Sequence, residues 1–244
     1  MAIVREINTN KARLSFRKDG IVEKVLFDSE RALVEKESID DLHNTFPGED
    51  FEGWTYKTVK VLGFNEEDST IYMEEAKGKP YSSIMKEYPS LSFHMGVWLG
   101  LYHKRAKLDD GKVKLYGDYS RNNFLIDQEK MLATAIDPGF YFGDVDYPEF
   151  DMVLAIYSLT IGAFRTKQSP YKIAESFLRG YKKTAHRDIN YRHIRDSWSR
   201  LKVRLSSRYK EKSFLLKLFS YSAMHVLNIY INILLRSLFK NSLT

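Results

Sequence analysis

The chain has 244 residues, 43% hydrophobic and 29% charged, which is enough apolar material for a sizeable core in one domain or two lobes. It contains no cysteine, which excludes a disulfide framework, a thiolate metal site and a cysteine nucleophile. The net charge of +6 is modest, and Met1-Ala2-Ile3-Val4-Arg5-Glu6 lacks the apolar core of a secretory signal, so a cytoplasmic location is expected.

The first third reads as β-rich. Arg13–Arg17 and Ile21–Phe27 flank Lys18-Asp19-Gly20, the signature of a hairpin. From Ser29 to Thr45 the pattern turns helical, with Leu33, Ile39 and Leu42 able to share one side. Lys57–Phe64 and Thr70–Glu74 read as two further strands joined by the polar turn Asn65–Ser69. Ala76-Lys77-Gly78-Lys79-Pro80 is a connector punctuated by Gly and Pro, after which the chain becomes mainly helical. A buried helix is expected over Phe93–His103, and others from Phe150 to Ile161 and from Tyr171 to Thr184.

Between these helices lies the segment richest in chemistry. Gly117-Asp118-Tyr119-Ser120-Arg121-Asn122-Asn123 leads into the apolar strand Phe124-Leu125-Ile126, a turn at 127–130 and a return strand Leu132–Ile136 that delivers Asp137. An acid, an amide five residues on and a second acid fourteen beyond that are thereby gathered at one end of a hairpin. Phosphoryl transfer from a metal-bound nucleotide needs such a set: a carboxylate to orient and deprotonate a hydroxyl, and hard oxygen donors to hold Mg²⁺. Each of these residues taken singly is an ordinary turn residue; the combined pattern is what is specific.

This chain resembles the aminoglycoside phosphotransferase and choline kinase branch of the protein-kinase-like superfamily, over approximately residues 12–165 and most strongly over 98–157. Leu99–His103 is similar to the end of the helix preceding that family's catalytic loop. Gly117-Asp118 through Asn123 is similar to its His-Gly-Asp-x4-Asn loop, with Tyr116 in place of the histidine. Ala135-Ile136-Asp137-Pro138 resembles the metal-binding strand end. Gly143–Asp151 resembles the segment whose aspartate buttresses the loop; an N-cap for the following helix is a second reading of Asp151. The resemblance implies an α+β, bilobal protein-kinase-like fold, with a small β-rich N-lobe (residues 1–75) and a larger, mostly helical C-lobe (residues 76–244). It implies ATP and Mg²⁺ as cofactors, Asp118 as catalytic base, and Asn123 and Asp137 as metal ligands. Lys24 would contact nucleotide phosphates, tethered by Glu35, with Glu37 the alternative partner. Tyr72–Ala76 resembles the linker that binds adenine, through the backbone of Glu74 and Ala76. There is no clear glycine-rich loop, so backbone amides of the turn Asn8-Thr9-Asn10-Lys11 are expected at the phosphates. Arg121 is open to two readings, a contact to an anion or a surface role.

The implied activity is transfer of the γ-phosphoryl group to a hydroxyl of a small molecule or glycan, including a lipid-linked one such as a lipopolysaccharide core sugar. The alternative is a catalytically weak pseudokinase serving as a nucleotide-binding or interaction module. The short stretch between Asp137 and Asp151 leaves little room for a peptide-docking segment, which argues against a protein substrate. A basic run from Arg179 to Lys212 reads as a solvated helix face or as a surface for phosphates, nucleic acid or an anionic membrane. Without a base-stacking motif, nucleic acid is not expected as a partner. The apolar stretch Ser213–Phe239 is interrupted by Lys217, His225, Asn228, Asn232 and Arg236; it reads as a buried or amphipathic helix rather than a span, compatible with peripheral contact to an anionic membrane. The sequence leaves the oligomeric state open.

Overall fold

The computed structural model describes residues 2–9, 11–138, 143–207 and 229–239. The chain opens with β1 (Ile3–Asn8), β2 (Ala12–Arg17) and β3 (Ile21–Leu26), followed by α1 (Ser29–Thr45). Four strands come next: β4 (Gly48–Phe51), β5 (Trp54–Thr58), β6 (Val61–Asn65) and β7 (Thr70–Glu74). β8 (Lys79–Pro80), a short α2 (Tyr81–Ile84), α3 (Ser92–Arg105) and β9 (Val113–Lys114) then lead to the hairpin β10 (Phe124–Asp127) and β11 (Leu132–Ala135). β12 (Val145–Asp146), α4 (Glu149–Thr166), α5 (Pro170–Ala185) and α6 (Tyr191–Ser207) follow, and residues 229–238 are again helical.

An antiparallel five-stranded sheet, ordered β1-β2-β3-β7-β6, holds Lys24 at its centre, between Leu14 of β2 and Ile71 of β7. Alternation turns Val22, Leu26, Ile71 and Met73 to one face, where they bury against Ala32 and Ile39 of α1. The buried stripe of α1 is Ala32, Ile39 and Leu42; Leu33, expected on that side, is 44% exposed because it lies one residue further round the helix. Asp28 caps α1, its carboxylate accepting from the Arg31 N–H at 3.2 Å. Glu35, between Ala32 and Ile39 on the same face, is thereby turned to the sheet.

Lys57–Phe64, expected as one strand, divides at Val59-Lys60. β5 leaves for a second sheet, ordered β4-β5-β11-β10-β8, while β6 stays in the first. β5 runs parallel to β11, with Thr58 opposite Ala135. Two contacts at Thr58 reach the end of α1: its hydroxyl donates to Phe46 O at 3.0 Å and lies 3.3 Å from His43 Nδ1.

The larger core belongs to α3, α4, α5 and α6. α3 and α5 pack nearly backbone to backbone: a Cβ on Gly96 would lie 1.9 Å from Phe177 O, so no larger residue fits. Ser92 Oγ donates to Ile173 O (2.9 Å) and Thr184 Oγ1 to Val97 O (3.1 Å), tying the pair at both ends. Among the described residues no helix is long and apolar enough to cross a membrane. Most of Ser213–Phe239 lies outside the described residues; within 229–239, Ile231, Leu234, Leu235 and Phe239 are buried in the core. Several members of the basic run are paired locally rather than forming an open stripe: Lys183 with Glu52, Arg187 with Gly111 O at 3.1 Å, and Arg200 with Asp146.

Candidate active site

The segment around Asp118 is held from behind by Asp151. Asp151 is fully buried in the first turn of α4; its Oδ2 accepts from Tyr116 N–H (2.8 Å) and its Oδ1 from Gly117 N–H (2.9 Å). His103, in the last turn of α3, places Nε2 3.1 Å from Asp151 Oδ2 and Nδ1 3.1 Å from the Tyr181 hydroxyl of α5. The N-cap of α4 is Pro148, so the capping role considered for Asp151 does not apply; its carboxylate is spent on the loop. A buried carboxylate needs hydrogen-bond donors, and here they are the backbone groups directly before Asp118.

Tyr116 braces the other side of the loop. Its ring is enclosed by Trp98, Tyr102 and Tyr119, and its hydroxyl donates to Ile136 O. Burial, then the nearby Asp137 carboxylate, raises the phenol pKa far above its ordinary value, so the group keeps its proton and stays a donor.

Asn123 gathers the three polar residues. Its amide nitrogen donates to Asp118 O at 3.2 Å and to Asp137 O at 3.3 Å, and lies 3.4 Å from Asp118 Oδ2. Ile136 N–H donates to Asn123 O at 2.9 Å, which closes the hairpin beneath. With the amide nitrogen so engaged, the side-chain oxygen of Asn123 is the donor left for a cation. Asp137 has a left-handed backbone (φ 57°), which takes it out of the β11 strand direction; its Oδ1 lies 3.0 Å from Lys24 Nζ. Lys24 also pairs with Glu35 of α1. Burial alone would lower the Lys24 pKa, but Asp137 and Glu35 outweigh it and the net shift is upward, so the ammonium is charged at neutral pH.

A cavity of about 1220 Å³ opens in front of these groups, lined by Glu35, Asp118, Asn123 and Asp137 among others. Lys24, Glu74 and Ala76 stand outside that lining. Glu74 N–H donates to Lys60 O at 3.0 Å, its carboxylate lies 3.4 Å from Lys57 Nζ, and Ala76 packs on the small core of the first sheet. In the turn before β2 the Thr9 hydroxyl accepts from Lys11 N–H (3.3 Å) and Ala12 N–H (3.0 Å), so these two amides are capped internally rather than presented; Lys11 itself lines the cavity. Arg121, read as a surface or anion-contacting group, is only 8% exposed and bonds to Ser158 of α4. Arg31 of α1, and Tyr157 and Arg165 of α4, also line the cavity. No spacing signal singled them out, because helix faces carry no motif of their own.

No protein-family model matches the sequence, and no curated protein matches it. Solved structures do. APH(2'')-IIa complexed with gentamicin superposes with a TM-score of 0.58 at 13% identity, over 91% of this chain and 91% of that one. The aminoglycoside phosphotransferase APH(2'')-Ib, bound to ADP, gives 0.57 at 13% identity over 90% of each chain. The amicoumacin kinase hAmiN, solved with AMP-PNP, Ca²⁺ and Ami, gives 0.56 at 11% identity over 93% of this chain and 88% of that one. The chain has the bilobal protein-kinase-like fold of these phosphotransferases. In the terms of that fold the first sheet and α1 form the N-lobe, and the helices around α3 form the body of the C-lobe. At such identities the likeness is one of fold, and the chemistry rests on the residues themselves.

Those residues suit a magnesium nucleotide. Among the described residues no group of three or more His, Asp or Glu could hold a metal ion unaided. One carboxylate and one amide oxygen, completed by phosphate oxygens and water, is nevertheless the kind of donor set Mg²⁺ accepts.

Proposed function

We propose that this protein is an ATP-dependent phosphotransferase acting on a hydroxyl of a small molecule or glycan, a lipid-linked sugar included. One observation carries the reading: Lys24 pairs with both Glu35 and Asp137, and those two carboxylates line one cavity together with Asp118 and Asn123. Lys24 would bind the α- and β-phosphates, and the backbone at Glu74 and Ala76 would meet the adenine. Asn123 and Asp137 would hold Mg²⁺, which when bound neutralises charge on the phosphate oxygens. Asp118 orients the acceptor hydroxyl and takes its proton. The acceptor oxygen bonds to the γ-phosphorus as the bond to the β,γ-bridging oxygen breaks, and ADP leaves. Most of the acceleration comes from positioning and fixed charge, because the transition state is loose.

The nucleotide-binding lobe is residues 1–75 and the catalytic lobe 76–244 in this reading. The neighbours fold around ADP, AMP-PNP, gentamicin and Ami, which supports a small-molecule acceptor by analogy of fold. The absence of a glycine-rich turn and the capping of its amides by Thr9 favour, as a second reading, a nucleotide-binding module without transfer.

Purified protein with ATP, Mg²⁺ and a metabolite panel, followed by ADP release, tests the proposal. Asp118→Ala is expected to cut turnover by about 10²–10⁴-fold while leaving nucleotide affinity intact. Asp137→Ala is expected to weaken Mg²⁺-dependent nucleotide binding and to leave metal-free binding little changed. Unaltered turnover in the first variant, or unaltered Mg²⁺ dependence in the second, refutes the role assigned. Nucleotide binding with no Mg²⁺-dependent turnover on any acceptor selects the second reading.

A further inference from the structure

The wall that α4 contributes to the cavity carries no acid. Leu154, Tyr157, Ile161 and Arg165 succeed one another at intervals of three, four and four residues, which aligns them along one face, and Leu201 of α6 adds to the apolar surface. Among the described residues, every carboxylate lining the cavity belongs instead to α1 and its cap (Asp28, Glu30, Glu35) or to the two loops at Asp118 and Asp137.

Two cations stand on this wall. Arg121 lies buried against α4: its backbone N–H donates to Ser158 Oγ at 3.1 Å and its guanidinium donates to Ser158 O. Gly162 makes room for it, since a Cβ there would come within 2.8 Å of Arg121 Cδ. Arg165, two helical turns beyond Ser158, is exposed and makes no ion pair among the described residues. Burial first, and then the charge of Arg165, lowers the Arg121 pKa, while Tyr157 acts in the opposite sense. Two like charges facing one cavity repel, and an anion placed there relieves both.

We propose, on the phosphotransferase reading above, that the acceptor is an anionic alcohol carrying a phosphate or carboxylate, and that Arg165 is the residue that selects it. The ring or chain of such a molecule lies along Leu154, Tyr157 and Ile161, its anion meets Arg165 with Arg121 behind, and its hydroxyl turns to Asp118. A polycationic acceptor would meet two positive charges on this wall.

The test uses the full chain saturated with Mg²⁺ and AMP-PNP, titrated calorimetrically with glucose 6-phosphate, glucuronate, glucose and glucosamine. These probes keep one ring and differ in charge. The two anions are expected to bind about tenfold or more tighter than the other two, with the preference falling as salt is raised. Arg165→Gln is expected to abolish the preference and Arg165→Lys to keep part of it, with AMP-PNP affinity reporting that each variant is folded. Glucose or glucosamine binding as tightly as the anions, no binding by any of the four, or a preference that survives Arg165→Gln each overturns the proposal. The ranking of glucose 6-phosphate against glucuronate identifies which anion is recognised. Failure of Mg²⁺-dependent AMP-PNP binding, measured before any sugar is added, takes down the phosphotransferase reading as well; failure at the sugar step alone takes down only this one.

Discussion

At the scale of single residues, the site depends on side chains that never touch the cavity. Asp151 supplies acceptors to two consecutive backbone amides and to His103, so one buried carboxylate sets the loop that presents Asp118. Tyr116 then joins that loop to the carbonyl directly before Asp137. Tyr116→Phe keeps the packing but leaves Ile136 O without this donor, at a cost of about 1–3 kcal/mol. The expected outcome is a lower melting temperature together with weaker Mg²⁺-dependent nucleotide binding; a change in melting temperature alone would show that the hydroxyl does not act on Asp137. The gathering of Asp118, Asn123 and Asp137 was legible in the sequence because they are close in the chain and their spacing has a simple hairpin geometry. Arg121 was not, since the same loop arginine is read as solvated or ligand-binding until Ser158 and Gly162, contributed by a distant helix, are seen beneath it.

At the scale of elements, local periodicity located the helices well: α1 spans the predicted Ser29–Thr45, and the hairpin at β10 and β11 forms where apolar runs flank a polar turn. The division of Lys57–Phe64 between two sheets was hidden, because nothing near Val59-Lys60 breaks the strand pattern and the partner of β5 is far along the chain. The contact between α3 and α5 is the tightest joint in the C-lobe. Gly96→Ala forces a methyl group into Phe177 O, and a loss of about 1–3 kcal/mol or more is expected in chemical denaturation. The joint between β5 and α3 is pH-sensitive instead. His94 stacks on Trp54 at 3.8 Å between ring centroids and hydrogen-bonds the Tyr56 hydroxyl at 2.8 Å. Burial lowers its pKa to about 4. Stability from the neutral ring is therefore complete above the unfolded value of about 6.5 and is lost as pH falls toward 4. His94→Gln is expected to flatten the melting temperature measured across that window; an unchanged slope would assign the effect to other groups.

At the scale of the whole molecule, two apolar clusters of unequal size divide the chain, one under the N-terminal sheet and one among the helices, with the cavity opening where α1, the loops and α4 come together. The change from strands to helices pointed to two unequal parts, whereas the cavity wall on α4 was invisible because it exists only once α4 and the Asp118 loop are in place. The parallel rungs between β5 and β11 have a further bearing on α1. Thr58, opposite Ala135 on those rungs, also donates to Phe46 O at the trailing end of α1, so the helix that carries Glu35 is hydrogen-bonded to the sheet that delivers Asp137. Swinging that helix outward would have to break this hydrogen bond and the contact of His43 with Thr58. The trailing end of α1 is accordingly expected to hold its place against the second sheet rather than swing freely.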